Sequence, residues 1–414
     1  MLHDTMPGTE ELLMKSSTKG YIGFDPTADS LGVGNLVQIM TLMHFQRAGH
    51  QPIALIGGAT GMIGDPSGKS QERNLLSEEI LLHNQSCQKA QLEKFLDFSG
   101  DNAAQIVNNY DWFKDFRFLD FIRDVGKRLT INYMMAKDSV KNRMDGTSEG
   151  MSFTEFSYQL IQGYDFYHLW KKDGVMLQMG GSDQWGNITT GTELIRRMAG
   201  GEAFALTTPL IKKADGTKFG KTEGGNIWLD AKRTSPYKFY QFWLNAADAD
   251  APGYLKIFSL KTKEEIEDII STHLQDPGKR LLQKALAEEI TIRVHSKDQL
   301  AQAQVASEVL FGSVGVDAMR SLSNETIEEL FEGVGKGKME KTLLLDGLPI
   351  IQALVQSGFL ASNGEARRAL QENSISINKQ KQTIDSVLTE DDLLNNRFLL
   401  MQRGKKTYFL LEFQ

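Results

Sequence analysis

The 414-residue chain has a single cysteine, Cys87. That excludes an internal disulfide framework and any thiolate-rich zinc site. No stretch approaches the roughly 18 uninterrupted apolar residues that a membrane span needs. Asp4, Glu10 and Glu11 precede any apolar run, so the N-terminus does not read as a secretory signal. A cytoplasmic protein without a membrane partner is expected. A cationic excess is also missing. The net charge is −7, which argues against a nonspecific nucleic-acid coat, because such coats hold phosphate by net positive charge. Residues 341–414 carry 9 Lys/Arg against 8 Asp/Glu and the rest 37 against 45, so RNA contact in the tail requires a local basic patch. The seven histidines show no metal-ligand spacing, and no metal site is expected. Internal repeats and long low-complexity tracts are absent.

What is present fits a multidomain globular protein. The length implies two or three domains, and the apolar content of 41% with 24% charged residues is that of a folded soluble chain. In the first half, short apolar runs ending in glycine alternate with longer amphipathic segments, the pattern of a parallel sheet wrapped by helices. Residues 20–24, 52–56 and 175–179 read as strands. Each is followed by a glycine-rich polar loop, at 25–35, 57–65 and 180–187. Ligands bind beyond the carboxyl ends of strands in such sheets, so the three loops outline one pocket; the plainer reading is three tight corners. From Ser235 and Pro236, a cap followed by proline, the character becomes helical. The Gly/Lys alternation at 333–338 reads as a linker. The expected division is a catalytic domain at 1–232, a helical region at 233–332, a linker at 333–344 and a small domain at 345–414. In the last, Ser362 and Glu365 make a capping box, Asn378-Lys379 a turn, and Arg367, Arg368, Lys405 and Lys406 a candidate basic patch.

Three segments bear on chemistry. The helix from Ser152, opened by a Ser152/Glu155 capping box, places Tyr158, Gln162 and Asp165 at i, i+4 and i+7 on one face. Such a stripe suits a small polar ligand if buried and is an ordinary solvated face if not. Residues 214–225 bring Lys218 and Lys221 together among four glycines, suiting either a cationic loop that closes on a polyphosphate or a hairpin tip. Gly64–Ser70 falls one residue short of a P-loop and places Asp65 where phosphate would sit, so a P-loop hydrolase is rejected. Gly32-Val33-Gly34 begins a dinucleotide fingerprint that Val37 breaks.

Taken together, Tyr21–Leu31, Gly57–Gly61, the Tyr158 helix, Gly180–Asn187 and Lys218–Thr222 resemble the bacterial tyrosyl-tRNA synthetases, a class I aminoacyl-tRNA synthetase family, and the likeness runs nearly the full length. The resemblance implies an α/β fold: a Rossmann-type catalytic domain, an α-helical anticodon-binding region and a C-terminal alpha-L type RNA-binding domain. It further implies a homodimer whose substrates are L-tyrosine, ATP with Mg2+, and tRNA(Tyr), with no tightly bound cofactor. Tyr21 and Asp165 would hydrogen-bond the phenol of tyrosine. Tyr158, Gln162 and Asp65 would hold its ammonium, and Gln184 would face its carboxylate. Asp183, Gly181 and Gly34 would meet ATP. Lys218, Lys221 and Thr222 match the family's mobile KMSKS loop, with Thr27, Lys69 and Arg73 assisting at the pyrophosphate. One departure stands out. Where the family carries two histidines in its HIGH signature, this chain has Gly32-Val33-Gly34-Asn35, so slowed adenylate formation is expected. The alternative is a noncatalytic RNA-binding protein on the same fold.

Overall fold

A computed structural model of the chain describes residues 2–67, 75–144, 150–222, 225–311, 316–404 and 407–414. The described residues divide into two compact units, one of 1–235 with 242–294 and the other of 236–241 with 295–414.

The first unit is built on a six-stranded sheet. Its strands are β1 (Asp4–Thr5), β2 (Lys19–Phe24), β3 (Gln51–Ile56), β4 (Gln105–Asn108), β5 (Leu177–Gly181) and β6 (Phe204–Thr208), in the order β1-β6-β5-β2-β3-β4. All neighbours are parallel except β1 on β6. Burial on both faces explains the continuous apolar run at 52–56 in β3; β5 is equally buried but includes the polar Gln178. The third expected strand lies two residues later than the sequence suggested, because Val175 and Met176 lead into β5 and Gly180 and Gly181 complete it. The chain leaves β2 and β5 in opposite directions along the sheet, which makes their shared carboxyl end the switch point where ligands bind.

Helix α1 (Thr9–Lys15), α2 (Val33–Arg47) and α3 (Glu78–Leu92) belong to the first half of this unit. The long helix Phe153–Asp173 opens with the expected capping box. Ser152 Oγ accepts from Glu155 N at 3.2 Å, and Glu155 Oε2 accepts from Ser152 N at 3.5 Å. Glu155 also forms a buried two-pronged ion pair with Arg143, at 2.9 and 3.0 Å, which fixes this helix end against the helix Asp138–Met144. The helix Trp185–Ala199 crosses close by, since a side chain on Gly191 would lie 2.8 Å from Phe166.

In the second unit a five-stranded sheet runs Gln380–Lys381, Ile375–Ile377, Phe398–Arg403, Thr407–Phe413, Gly335–Met339. The segment expected as a linker is thus its edge strand, parallel to Thr407–Phe413. Its alternating glycines are not there for flexibility. A Cβ on Gly335 or Gly337 would come within 2.8 or 2.9 Å of the Phe409 ring. One sheet face packs Ile375, Ile377, Met401 and Leu411 against the helices Ile350–Gln356 and Asn363–Gln371. The other packs Phe398, Leu400 and Leu410 against Ala306, Met319, Leu322 and Ile327. Helical residues assigned to a separate region therefore share a core with the C-terminal sheet. The expected turn at Asn378 and Lys379 is present, both at positive φ. The expected box at Ser362 is half formed: Ser362 Oγ accepts from Glu365 N, but the Glu365 carboxylate turns to Ala361 N and Arg403.

Candidate active site

A cleft of about 280 Å³ opens at the carboxyl ends of β2 and β5. Its deepest residues are Tyr21 and Asp165, each 1% exposed. Asp165 comes from the long helix, three turns beyond its cap, and its carboxylate is held at both oxygens. Trp112 donates to Oδ1 at 2.9 Å and Asn109 to Oδ2 at 3.1 Å. Burial nevertheless pushes the Asp165 carboxyl up to about 8, against the opposing pull of those donors. The Tyr21 phenol is held well above its usual range, first by burial and then by the charge of Asp165. Its hydroxyl has no partner among the described residues. A buried hydroxyl and a buried carboxyl facing one space favour a guest that carries a hydroxyl of its own.

Further out, Tyr158 and Gln162 occupy the same helix face, as their spacing predicted. Tyr158 Oη donates to Asp25 Oδ2 at 2.8 Å, and Thr60 donates to Asp25 Oδ1 at 2.7 Å. Gln184 Nε2 donates to Asp65 Oδ2 at 2.7 Å, while Ser67 N donates to Asp65 Oδ1. Asp25, Asp65 and Asp165 thus surround this part of the cleft with carboxyl groups, a setting that suits an ammonium. Gly34, Gln38, Gly181, Asp183 and Leu210 complete the lining. A Cβ on Gly181 would lie 2.5 Å from Asp183 Oδ1, so the bare glycine lets the Asp183 carboxylate lie close to the backbone there.

A second cleft, of about 260 Å³, adjoins the first through Asp25, Thr27, Gly34 and Asn35, and is lined by Gly32, Gln88, Lys218 and Lys221 as well. Backbone pairing brings these together. Val33 N donates to Ile227 O at 3.0 Å, Leu229 N to Leu31 O at 2.8 Å, and Ile227 N to Gly220 O at 3.0 Å. Phe219, between the two lysines, packs against Tyr254, Phe258, Phe242 and Trp243, with ring centroids 5.0 to 5.8 Å away. The lysine loop is therefore anchored at its middle rather than loose throughout. Gly32 caps α2 at φ −101° and ψ 172°, and Asn35 Oδ1 accepts from its N–H at 3.0 Å.

The structure brings together Tyr21, Asp65, Tyr158, Gln162, Asp165, Gln184, Gly34, Gly181 and Asp183 in the first cleft, and Thr27, Gly32, Asn35, Lys218 and Lys221 in the second. Thr222 lines neither; its hydroxyl donates to Gly225 O at 3.2 Å. Arg367 and Arg368 are exposed on the helix Asn363–Gln371 of the other unit. Lys69, Arg73, Lys405 and Lys406 lie outside the described residues. The sequence reading assigned no role to Asp25, Thr60, Asn109 or Trp112. Asn109 and Trp112 follow directly on β4, and recognising that strand would have made theirs a fourth polar loop beyond a strand end.

Comparison with known proteins identifies the family. Residues 14–312 match the family model of class I tRNA synthetases (W and Y), and residues 326–411 match that of the tyrosine-tRNA ligase SYY-like C-terminal domain. The chain is 62% identical to a protein of Flavobacterium johnsoniae named tyrosine-tRNA ligase, over 99% of this chain and 96% of that one. It is 58% identical to one of the same name from Bacteroides fragilis, over 99% and 97%. Among solved structures, it resembles a C-terminally truncated mitochondrial tyrosyl-tRNA synthetase of Aspergillus nidulans, with a TM-score of 0.67 and 31% identity over 75% of this chain and 91% of that one.

Proposed function

The chain belongs to the class I tRNA synthetases of the tryptophan and tyrosine type, among the tyrosine-tRNA ligases, and from that membership we propose how its two clefts divide the reaction. L-Tyrosine occupies the first cleft and ATP reaches from its rim into the second. The tyrosine carboxylate attacks the α-phosphorus, pyrophosphate leaves, and tyrosyl-adenylate results. The terminal ribose hydroxyl of tRNA(Tyr) then attacks the adenylate carbonyl and AMP departs.

The observation that carries the reading is the convergence of Tyr21 and Asp165, both buried, on one space, with Asp165 fixed by Asn109 and Trp112. The substrate phenol donates to Asp165 and accepts from Tyr21. Tyr158, Gln162 and Asp65 receive the ammonium, and Asp25 orients Tyr158 through the bond from its hydroxyl. Gln184 faces the carboxylate, and Asp183 with Gly181 and Gly34 the nucleotide. Lys218 and Lys221, with Thr27 and Asn35, meet the polyphosphate and stabilise departing charge, with Thr222, Lys69 and Arg73 in support. The protein does little covalent work; positioning and charge stabilisation lower the barrier. Mg2+ enters on the phosphates as MgATP, keeping several of its waters.

Arg367 and Arg368, with Lys405 and Lys406, contact tRNA phosphate. The homodimer is supported by apolar surface: Phe118, Leu119, Ile131 and Phe153 are each 60 to 76% exposed on segments that surround the Val125, Leu129, Met134 and Leu160 cluster. The cytoplasmic reading rests on the lone cysteine and on the substrates. Tyrosine-dependent exchange of labelled pyrophosphate into ATP tests the whole. Tyr21→Phe should retain exchange with tyrosine but discriminate less against phenylalanine, and unchanged discrimination would refute the assignment of the phenol site.

A further inference from the structure

Helix α3 packs an unusual face. Its buried positions are Leu81, Asn84, Gln85, Gln88, Gln91 and Leu92, one stripe of the helix, and the four amides among them are at most 9% exposed. A buried amide is unfavourable without partners. Three of these four find theirs in one irregular segment, 25–31. Asn84 Nδ2 donates to Pro26 O at 3.0 Å, and Gln88 Nε2 donates to Ala28 O at 3.0 Å and more weakly to Asp25 O at 3.4 Å. Gln91 Oε1 accepts from Leu31 N at 2.9 Å, and its Nε2 reaches Ser30 Oγ at 3.3 Å. Gln85 turns elsewhere, accepting from Asn108 Nδ2 at 2.7 Å.

The segment so held joins β2 to the Gly32–Asn35 turn and carries Asp25 and Thr27 into the clefts. It is neither helix nor strand, so its backbone groups need partners from outside, and the helix supplies them along three successive turns. Gln88 also lines the second cleft, with its Oε1 unpartnered among the described residues.

We propose that Asn84, Gln88 and Gln91 are positioning residues for the nucleotide: they set the path of segment 25–31 so that Thr27 and the Gly32–Asn35 turn stand opposite Lys218 and Lys221. The proposal rests on the reading that the second cleft takes the ATP polyphosphate. Its physical basis is that a displacement of about an ångström at a reacting centre is enough to lower a rate by about a hundredfold. The segment is held mainly by its carbonyls and one N–H, while Asp25 and Thr27 line both clefts.

The test uses the full chain and tyrosine-dependent pyrophosphate exchange. Gln88→Leu and Gln91→Leu keep most of the packed volume and remove the amides, whereas Gln91→Glu keeps the acceptor for Leu31 N–H. Both leucine variants should lose about tenfold or more in kcat with KM for tyrosine within about twofold, and Gln91→Glu should recover most of the rate. Gln85→Leu removes an amide from the same buried face that does not touch the segment; it should lower the melting temperature comparably and leave ATP kinetics unchanged. Kinetic losses in Gln85→Leu equal to those in Gln88→Leu, or no loss in kcat for either contacting variant, would overturn the proposal alone. Lack of exchange in the unaltered protein would overturn the nucleotide reading and the proposal with it.

Discussion

The two ends of the continuous cleft are built on opposite plans. At the tyrosine end Tyr21, Asp165 and Tyr158 are at most 5% exposed, and both oxygens of Asp165 are bonded by protein groups. At the phosphate end Asn35, Lys218 and Lys221 are exposed, and neither lysine is in an ion pair with a described residue. A rigid, desolvated end selects a small guest by what it leaves unpaired. An open cationic end can meet the polyphosphate and stabilise the charge that shifts onto the departing pyrophosphate. On the proposed assignment, recognition resides where the protein is dry, and rate where it is wet.

Four experiments break or sharpen that contrast. The largest effect belongs to the wet end: Lys221→Ala should lower kcat for exchange by about a hundredfold or more while tyrosine affinity stays within about twofold. Pre-steady-state adenylate formation separates the two quantities, and a loss confined to tyrosine affinity would reverse the assignment of ends.

The dry end should show itself in pH. Burial raises the Asp165 carboxyl to about 8 in the free protein, and the substrate phenol adds a third donor that favours the carboxylate. Binding below pH 8 must then release a proton. Tyrosine affinity should rise by up to about tenfold per pH unit toward pH 8 and level off above it. Calorimetry in buffers of different ionisation enthalpy reads the proton directly, and a flat profile that matches Asp165→Asn would count against the carboxyl.

The third effect is smaller. Gly32 has an ordinary extended backbone, and a Cβ there would approach Ile227 O at 3.3 Å, so a larger side chain fits with a slight shift. Gly32→His should speed adenylate formation by about tenfold without altering tyrosine binding, as expected for a contact made in the transition state. The smallest concerns the second unit. Arg367→Ala or Arg368→Ala should raise KM for tRNA a few-fold, leave pyrophosphate exchange untouched, and reduce the salt dependence of tRNA binding by about one unit of slope.

Legibility followed periodicity and spacing. The Tyr158, Gln162 and Asp165 stripe was readable because helical spacing alone puts those residues on one face, and the Ser152 cap because its partner three residues on is visible. Trp112 was not readable as a site residue, since an isolated tryptophan after an unrecognised four-residue strand looks like core. The 333–338 segment misled for a related reason. Glycine alternating with lysine has the composition of a linker, and only the Phe409 ring beside it explains why the glycines belong to a strand. The amide face of α3 was hidden because its spacing is helical while its chemistry is that of a solvated face.

By itself the sequence determined which residues could do chemistry here: the parallel-sheet pattern, the polar loops after its strands, the carboxylate at the end of a helical stripe and the paired lysines are properties of order and spacing along the chain. Only the tertiary structure decided what those residues meet. That Asp165 is dry and held by Asn109 and Trp112, that Asp25 stands behind Tyr158, and that α3 grips the loop leading to Gly32 are contacts 53 to 133 residues apart in the chain. Burial and partner set the energy of a polar group, and neither has a local signature in the order of the residues.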